Sequence, residues 1–164
     1  VNIAGIDPGL SGAMAIVDEH SVVFVGDLSV LQIPSGKKTR AELDLASLRA
    51  LLAGAAIDHI FIEQVAARPG QGTVSMFRFG QTFGRIEGVV ATLQLPYSMI
   101  LPQRWQKLIG CGPSPDAARQ RAGQLYPEIA PKLTRKKDGG RADAILIARA
   151  GLLTLNQTTR IVAE

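Results

Sequence analysis

The sequence predicts an α/β protein: a mixed five-stranded sheet, an antiparallel meander followed by parallel strands, flanked by helices. Three observations predict it. Three short apolar runs near the N-terminus are joined by tight connections, as antiparallel neighbours are. From residue 44 onward, apolar segments of strand length alternate with segments of helical periodicity. Strand–helix–strand crossovers of that kind give parallel pairs with helices on the faces of the sheet.

Residues 2–7 (NIAGID) read as a first strand ending at Asp7, and Pro8, Gly9 and Gly12 mark a turn. Residues 13–18 (AMAIVD) and 22–28 (VVFVGDL) are the next two strands, and residues 32–40, with Pro34, Gly36 and two lysines, read as a polar linker. Asp44 can cap a helix whose Leu45, Leu48, Leu51 and Leu52 fall on one face, ended by Gly54. Residues 59–65 form a fourth strand, rich in Ile, Phe and Val, and the stretch from Arg68 to Gly72 is a loop.

A long helix follows over 74–94, with Gly80, Gly84 and Gly88 four residues apart. Each interior glycine costs a helix about 0.8–1 kcal/mol against Ala. Three on one face have two readings, a kinked core helix or a close backbone approach to another helix or a second chain. Residues 97–101 (YSMIL) form the fifth strand. Pro102 suits the first turn of a short helix carrying Gln103, Arg104, Trp105 and Lys107, and residues 115–126 and 141–154 read as two more helices. Strand four can lie parallel to strand one, joined by a right-handed crossover. Asp7 and Glu63 then reach matching carboxyl ends, where open α/β sheets place their sites.

Composition narrows the function classes. A chain of 164 residues, 46% hydrophobic and 20% charged, is expected to form a single domain over 1–164 with a core of its own. Its apolar runs are too short for a membrane span, no signal peptide is visible, and the single Cys111 excludes an internal disulfide framework; all three point to the cytoplasm. Residues 1–36 hold no Lys or Arg and four of the 14 acids, so the remainder carries 18 bases against 10 acids. The basic run of Lys132, Arg135, Lys136, Lys137 and Arg141 is either a solvated loop or a surface for a polyanion.

The carboxylates carry the chemistry. Glu63 stands at the end of an apolar strand, where a buried charge is costly without a partner. Its expected neighbour, Asp7, is another acid, and close carboxylates repel unless a proton or cation lies between them. Asp143 supplies a third, expected in the first turn of the last helix and pointing inward. An all-oxygen set of this kind suits Mg²⁺ or Mn²⁺. Only two histidines, His20 and His59, are present, and there is no CxxC, HExxH or P-loop, which argues against a zinc enzyme or a P-loop nucleotide site. Turn capping by Asp7 and a helix-start role for Asp143 are the purely structural alternatives.

In chain order, "IAGIDPGLSG", "FIEQV", "FGQTFG", "LPQRWQK" and "RADAILIA" resemble the motifs of the RuvC family of Holliday junction resolvases, especially its shorter phage-type members. The resemblance covers residue 3 to about residue 152. It implies an RNase H-like fold, a homodimer, and cleavage of four-way DNA junctions with two Mg²⁺ ions per site, for which Mn²⁺ can substitute. It further implies that Asp7, Glu63 and Asp143 are metal ligands, that Lys107 lies near the DNA backbone, and that the helix with Gly80, Gly84 and Gly88 forms the dimer. Two positions depart from the family pattern: Ala66 stands where many members carry an aromatic residue, and Asp116 where a basic residue is usual. No acid or His stands at Gly139 or Gly140, one turn before the last acid, and Asp138 is the nearest candidate for a fourth ligand.

Taken together, these features lead to the expectation of a metal-dependent endonuclease for branched DNA. Arg68, Arg104, Lys107, Arg135, Lys136 and Lys137 are the expected DNA contacts. A junction-binding module without cleavage, and an RNase H-like nuclease for flaps or RNA–DNA hybrids, are the alternatives. "GIDPGLSGA" also resembles the phosphate loop of sugar kinases, but that fold normally needs two such domains, for which 164 residues are too few.

Overall fold

The structure, a computed structural model, describes residues 1–64, 66, 70, 72–112 and 114–162. Strands β1 (Ile3–Asp7), β2 (Ala13–Val17) and β3 (Val22–Asp27) form the expected meander. Next come β4 (Val30–Ser35), β5 (Lys38–Leu43), helix α1 (Leu45–Gly54) and β6 (His59–Glu63). Helix α2 (Thr73–Thr92), β7 (Tyr97–Ile100), α3 (Pro102–Ile109), α4 (Pro115–Leu125) and α5 (Gly139–Val162) complete the chain, with two 3-10 turns between the last two helices. The main sheet runs β3-β2-β1-β6-β7, with β1, β6 and β7 parallel and the meander antiparallel. The fold class is the one the sequence predicts.

Side-chain alternation sets the two faces of the sheet. Ala4, Ile6, Ile60 and Ile62 pack against Leu48 and Leu52 of α1 and Ile86 and Val90 of α2. Ile3 and Phe61 point the other way, into a core with Trp105, Ala144, Ile145 and Ala148. Helix α5 lies unusually close to the sheet there. A Cβ on Gly5 would stand 2.2 Å from the Ala144 carbonyl oxygen and 2.5 Å from the Ala148 nitrogen. Only glycine permits that approach, so β1 and α5 touch backbone to backbone.

Local chemistry explains the helix starts. Asp44 caps α1, accepting from the Ser47 backbone N–H, and Ser114 caps α4 by accepting from Ala117 N. Pro102 occupies the first turn of α3, and Gly110, with φ of 68°, ends it.

Two sequence expectations are corrected. Residues 32–40 are not a linker: β4 and β5 pair with each other as a separate two-stranded hairpin. Its turn places Gly36, with φ of 62°, and Lys37 between the paired Ser35 and Lys38, with glycine first as a type II′ turn prefers. The hairpin is mostly exposed, and Leu43 is its one buried side chain, a hold of roughly 1.5–3 kcal/mol. Helix α5 begins at Gly139 rather than near 141, so Gly139 and Gly140 are helical and Asp143 lies in the second turn. The expected first-turn dipole effect on Asp143 is weakened accordingly, because it fades beyond the first turn.

Candidate active site

Strand register brings the first two acids together. Ile6 pairs with Ile62 in the parallel β1–β6 ladder, so the next residues, Asp7 and Glu63, end neighbouring strands side by side. Both share the parity of Ile3 and Phe61 and therefore lie on the sheet face that α5 covers. Asp143 comes from α5 itself, which the Gly5 contact holds against β1.

The electrostatics show the three acids acting on one another. Burial pushes the Asp7 carboxyl up to about 8, with further contributions from Asp143 and then Glu63. Burial and then Glu63 push Asp143 up to about 7. Partial burial and mutual repulsion thus favour the protonated forms, and a cation among the oxygens would reverse that preference. Among the described residues, no three His, Cys, Asp or Glu side chains are gathered closely enough to hold a metal ion as they stand. The acids are a coupled cluster rather than a closed ligand cage. As a donor set they fit a hard divalent cation, being all oxygen and short of positive charge. His59 is at the far end of β6, hydrogen bonded through Nε2 to Ser98 Oγ at 2.9 Å.

Two neighbours shape the cluster. Trp105, only 2% exposed, donates its indole N–H to Glu63 Oε1 at 2.8 Å. This orients one carboxylate from beneath, and the sequence reading did not assign Trp105 that role; a tryptophan one turn into an amphipathic helix reads simply as core. Gly140 abuts Asp7: a Cβ there would lie 3.0 Å from Asp7 Oδ2 and 2.8 Å from the Ser11 carbonyl oxygen. The position before the last acid where the resemblance implies a fourth ligand therefore has no room for a side chain.

Asp138, the nearest candidate for that ligand, is engaged with arginine. It is 2% exposed, and it accepts from the Arg135 backbone N–H at 2.8 Å and from the Arg135 guanidinium at 2.8 and 3.2 Å. Those bonds, the Arg135 side chain first, hold its carboxyl down to about 2. Both oxygens are committed to arginine, which is a local reason for the acid to be there. Arg135 is correspondingly less free to meet DNA. Arg141 is also occupied, in a two-pronged pair with Asp27 at 2.6 Å for each contact.

The remaining basic candidates are exposed: Arg104 and Lys107 on α3, Lys136 and Lys137 in the turn before α5. Arg68 lies outside the described residues. Gly80, Gly84 and Gly88 all lie on an open face of α2, where a Cβ would meet nothing within 4 Å. The kinked-core reading of those glycines is therefore not supported. A cleft of about 470 Å³ opens beside Asp7, between the Pro8–Gly12 loop and Ser75, Arg78, Phe79 and Thr82 of α2.

No protein-family model matches the chain, and no curated protein does. Solved structures do match its fold. RuvC of Thermus thermophilus in complex with a Holliday junction substrate superposes with a TM-score of 0.66 at 13% identity, covering 96% of each chain. A second structure of Thermus thermophilus RuvC gives 0.59 at 14% identity, over 97% of this chain and 98% of that one. The fowlpox virus Holliday junction resolvase gives 0.56 at 14% identity, over 94% and 99%. These likenesses establish that the chain has the fold of those resolvases over nearly its whole length.

Proposed function

We propose that this chain is a metal-dependent endonuclease that cuts Holliday junctions or other branched DNA by phosphodiester hydrolysis. The observation that carries the reading is the coupled cluster of Asp7, Glu63 and Asp143, at the carboxyl ends of β1 and β6 and on α5, in a fold shared with junction resolvases. Mg²⁺ or Mn²⁺, two ions per site, would be held by these three acids and would supply an activated water and charge stabilisation for the leaving oxyanion. The chain's own residues do the positioning. Asp7, at the end of the central strand, is coupled to both other acids and is the first residue that would hold an ion. Trp105 fixes the orientation of Glu63. Lys107, Arg104, Lys136 and Lys137 would neutralise flanking phosphates, and a four-way junction, with two equivalent strands to cut, calls for a homodimer.

The test is cleavage of a synthetic four-way junction with Mg²⁺, beside flap and RNA–DNA hybrid substrates. Asp7→Asn, Glu63→Gln and Asp143→Asn are each expected to abolish cutting while junction binding stays equal or tightens. Tight binding by the unaltered protein with no cutting in Mg²⁺ or Mn²⁺ would instead identify a binding module.

A further inference from the structure

We propose that the β4–β5 hairpin and helix α2 form a phosphate-binding groove that holds a duplex arm of the DNA substrate beside the acid cluster. This rests on the nuclease reading above and adds a surface that the expected DNA contacts do not include. The groove, about 480 Å³, is lined by Lys38 and Arg40 of the hairpin and by Arg78 and Arg85 of α2. One acid, Glu42, lies among them, paired with Arg40 and with Arg85 at 3.2 Å. Four bases against one acid leave the groove strongly positive, and among the described residues neither Lys38 nor Arg78 has a carboxylate partner.

Continuity with the acid cluster identifies the ligand as DNA backbone rather than an unrelated anion. Leu10, Arg78 and Thr82 line both this groove and the cleft that contains Asp7. A strand whose scissile phosphate sits at Asp7 therefore has a positively charged exit along α2. Arg78 and Arg85 are seven residues apart, about 10.5 Å along the helix. That is the axial reach of about three phosphates on one strand. The hairpin is suited to the other side of an arm, since it is mostly exposed and carries Lys37 and Lys38 at its turn.

The groove borders the open glycine face without including its glycines. Arg78 and Arg85 lie about 100° and about 80° around α2 from Phe77, with Arg85 about 60° from Gly88 at the near edge of the glycine line.

The experiment is four-way-junction binding across a salt series, in EDTA, for the unaltered protein and for Lys38→Ala/Arg78→Ala. These two residues are exposed and, among the described residues, free of ion pairs, and a circular dichroism melt checks that the variant is folded. Each lost phosphate contact flattens the slope of log K against log salt by about 0.9, so a loss of about 1.8 is expected. Hydroxyl-radical footprinting should show protection disappearing from one arm next to the cut site, and Lys38→Arg should retain it. A folded variant with unchanged slope and footprint overturns the groove alone, even if the junction is cut. Failure of the unaltered protein to bind any branched DNA overturns the nuclease reading and the groove together.

Discussion

At the scale of single residues, the acids set the pH response of the fold. Asp7 and Asp143 ionise at an ordinary 3.8 in the unfolded chain but near 8 and 7 in the folded one. Between those limits the folded state holds more protons, so without a cation its stability falls as pH rises from about 4 to about 8. Asp138 acts in the opposite sense: its lowered carboxyl favours folding above pH 4, and that contribution is lost as pH falls towards 2. Metal-free protein should therefore melt highest near pH 4–5 and lower at pH 8.5. Mg²⁺ should raise the melting temperature more at pH 8.5 than at pH 5, and Asp7→Asn should flatten the alkaline decline. A melting temperature independent of pH between 5 and 8.5 would remove the coupling inferred here. Trp105→Phe keeps most of the buried ring but deletes the donor to Glu63. Second-layer partners of metal ligands typically carry 10–100-fold in affinity or activity, so this variant should need about tenfold more Mg²⁺ for half-maximal cleavage, with little change in junction affinity. The acids were legible in the sequence because a charge closing an apolar strand demands a partner. Trp105 was not, because nothing in a linear pattern shows which way an indole N–H points.

At the scale of elements, two close approaches decide where the site can form. Gly5 lets α5 settle on β1, and Gly140 lets the first turn of α5 pass beside the Asp7 carboxylate. Gly140→Ala should force the Ser11 loop or Asp7 aside, at about 1–3 kcal/mol for an overpacked contact, and weaken Mg²⁺ binding at the same time. Gly139→Ala is the control, since a Cβ there meets nothing within 4 Å and alanine favours helix. Thermal melts and Mg²⁺ titrations of the two variants give the comparison; equal behaviour would mean that the Gly140 contact is immaterial. The meander, the crossovers and the capped helices were readable because periodicity and turn chemistry agree there. The β4–β5 hairpin was not, because its strands are exposed on most positions and so lack the apolar alternation that reveals a strand. The Gly36–Lys37 turn was the one local signal. The start of α5 was misplaced because two glycines read as a break, whereas helix geometry tolerates them when a neighbour requires the space.

At the scale of the whole molecule, the open face of α2 is the surface on which the proposed homodimer would close. Gly80, Gly84 and Gly88 have free space above them, and Phe77, on the same line, is 71% exposed. An aromatic side chain that large is normally placed out of water, since burying it contributes roughly 1.5–3 kcal/mol. A two-fold axis through Gly84 would set the two helices antiparallel, with Gly80 against the partner's Gly88 and Phe77 against the partner's Ala91. A knob then meets small residues at each end, and a self-complementary contact of this kind closes as a dimer. The sequence showed the glycines but not their surroundings; only the fold shows that the face is empty. Sedimentation at micromolar concentration should give a dimer. Gly84→Leu, which puts a large side chain on the axis, should give a folded monomer with an unchanged circular dichroism spectrum. That monomer should still nick a junction, because each acid cluster is built from one chain, but it should lose the paired cuts on opposite strands within one binding event. A supercoiled cruciform plasmid separates the outcomes: paired cutting gives linear product directly, and uncoupled cutting accumulates the nicked circle first. A monomeric unaltered protein would remove the dimer, whereas a Gly84→Leu dimer that still linearises the plasmid in one step would place the interface on some other surface.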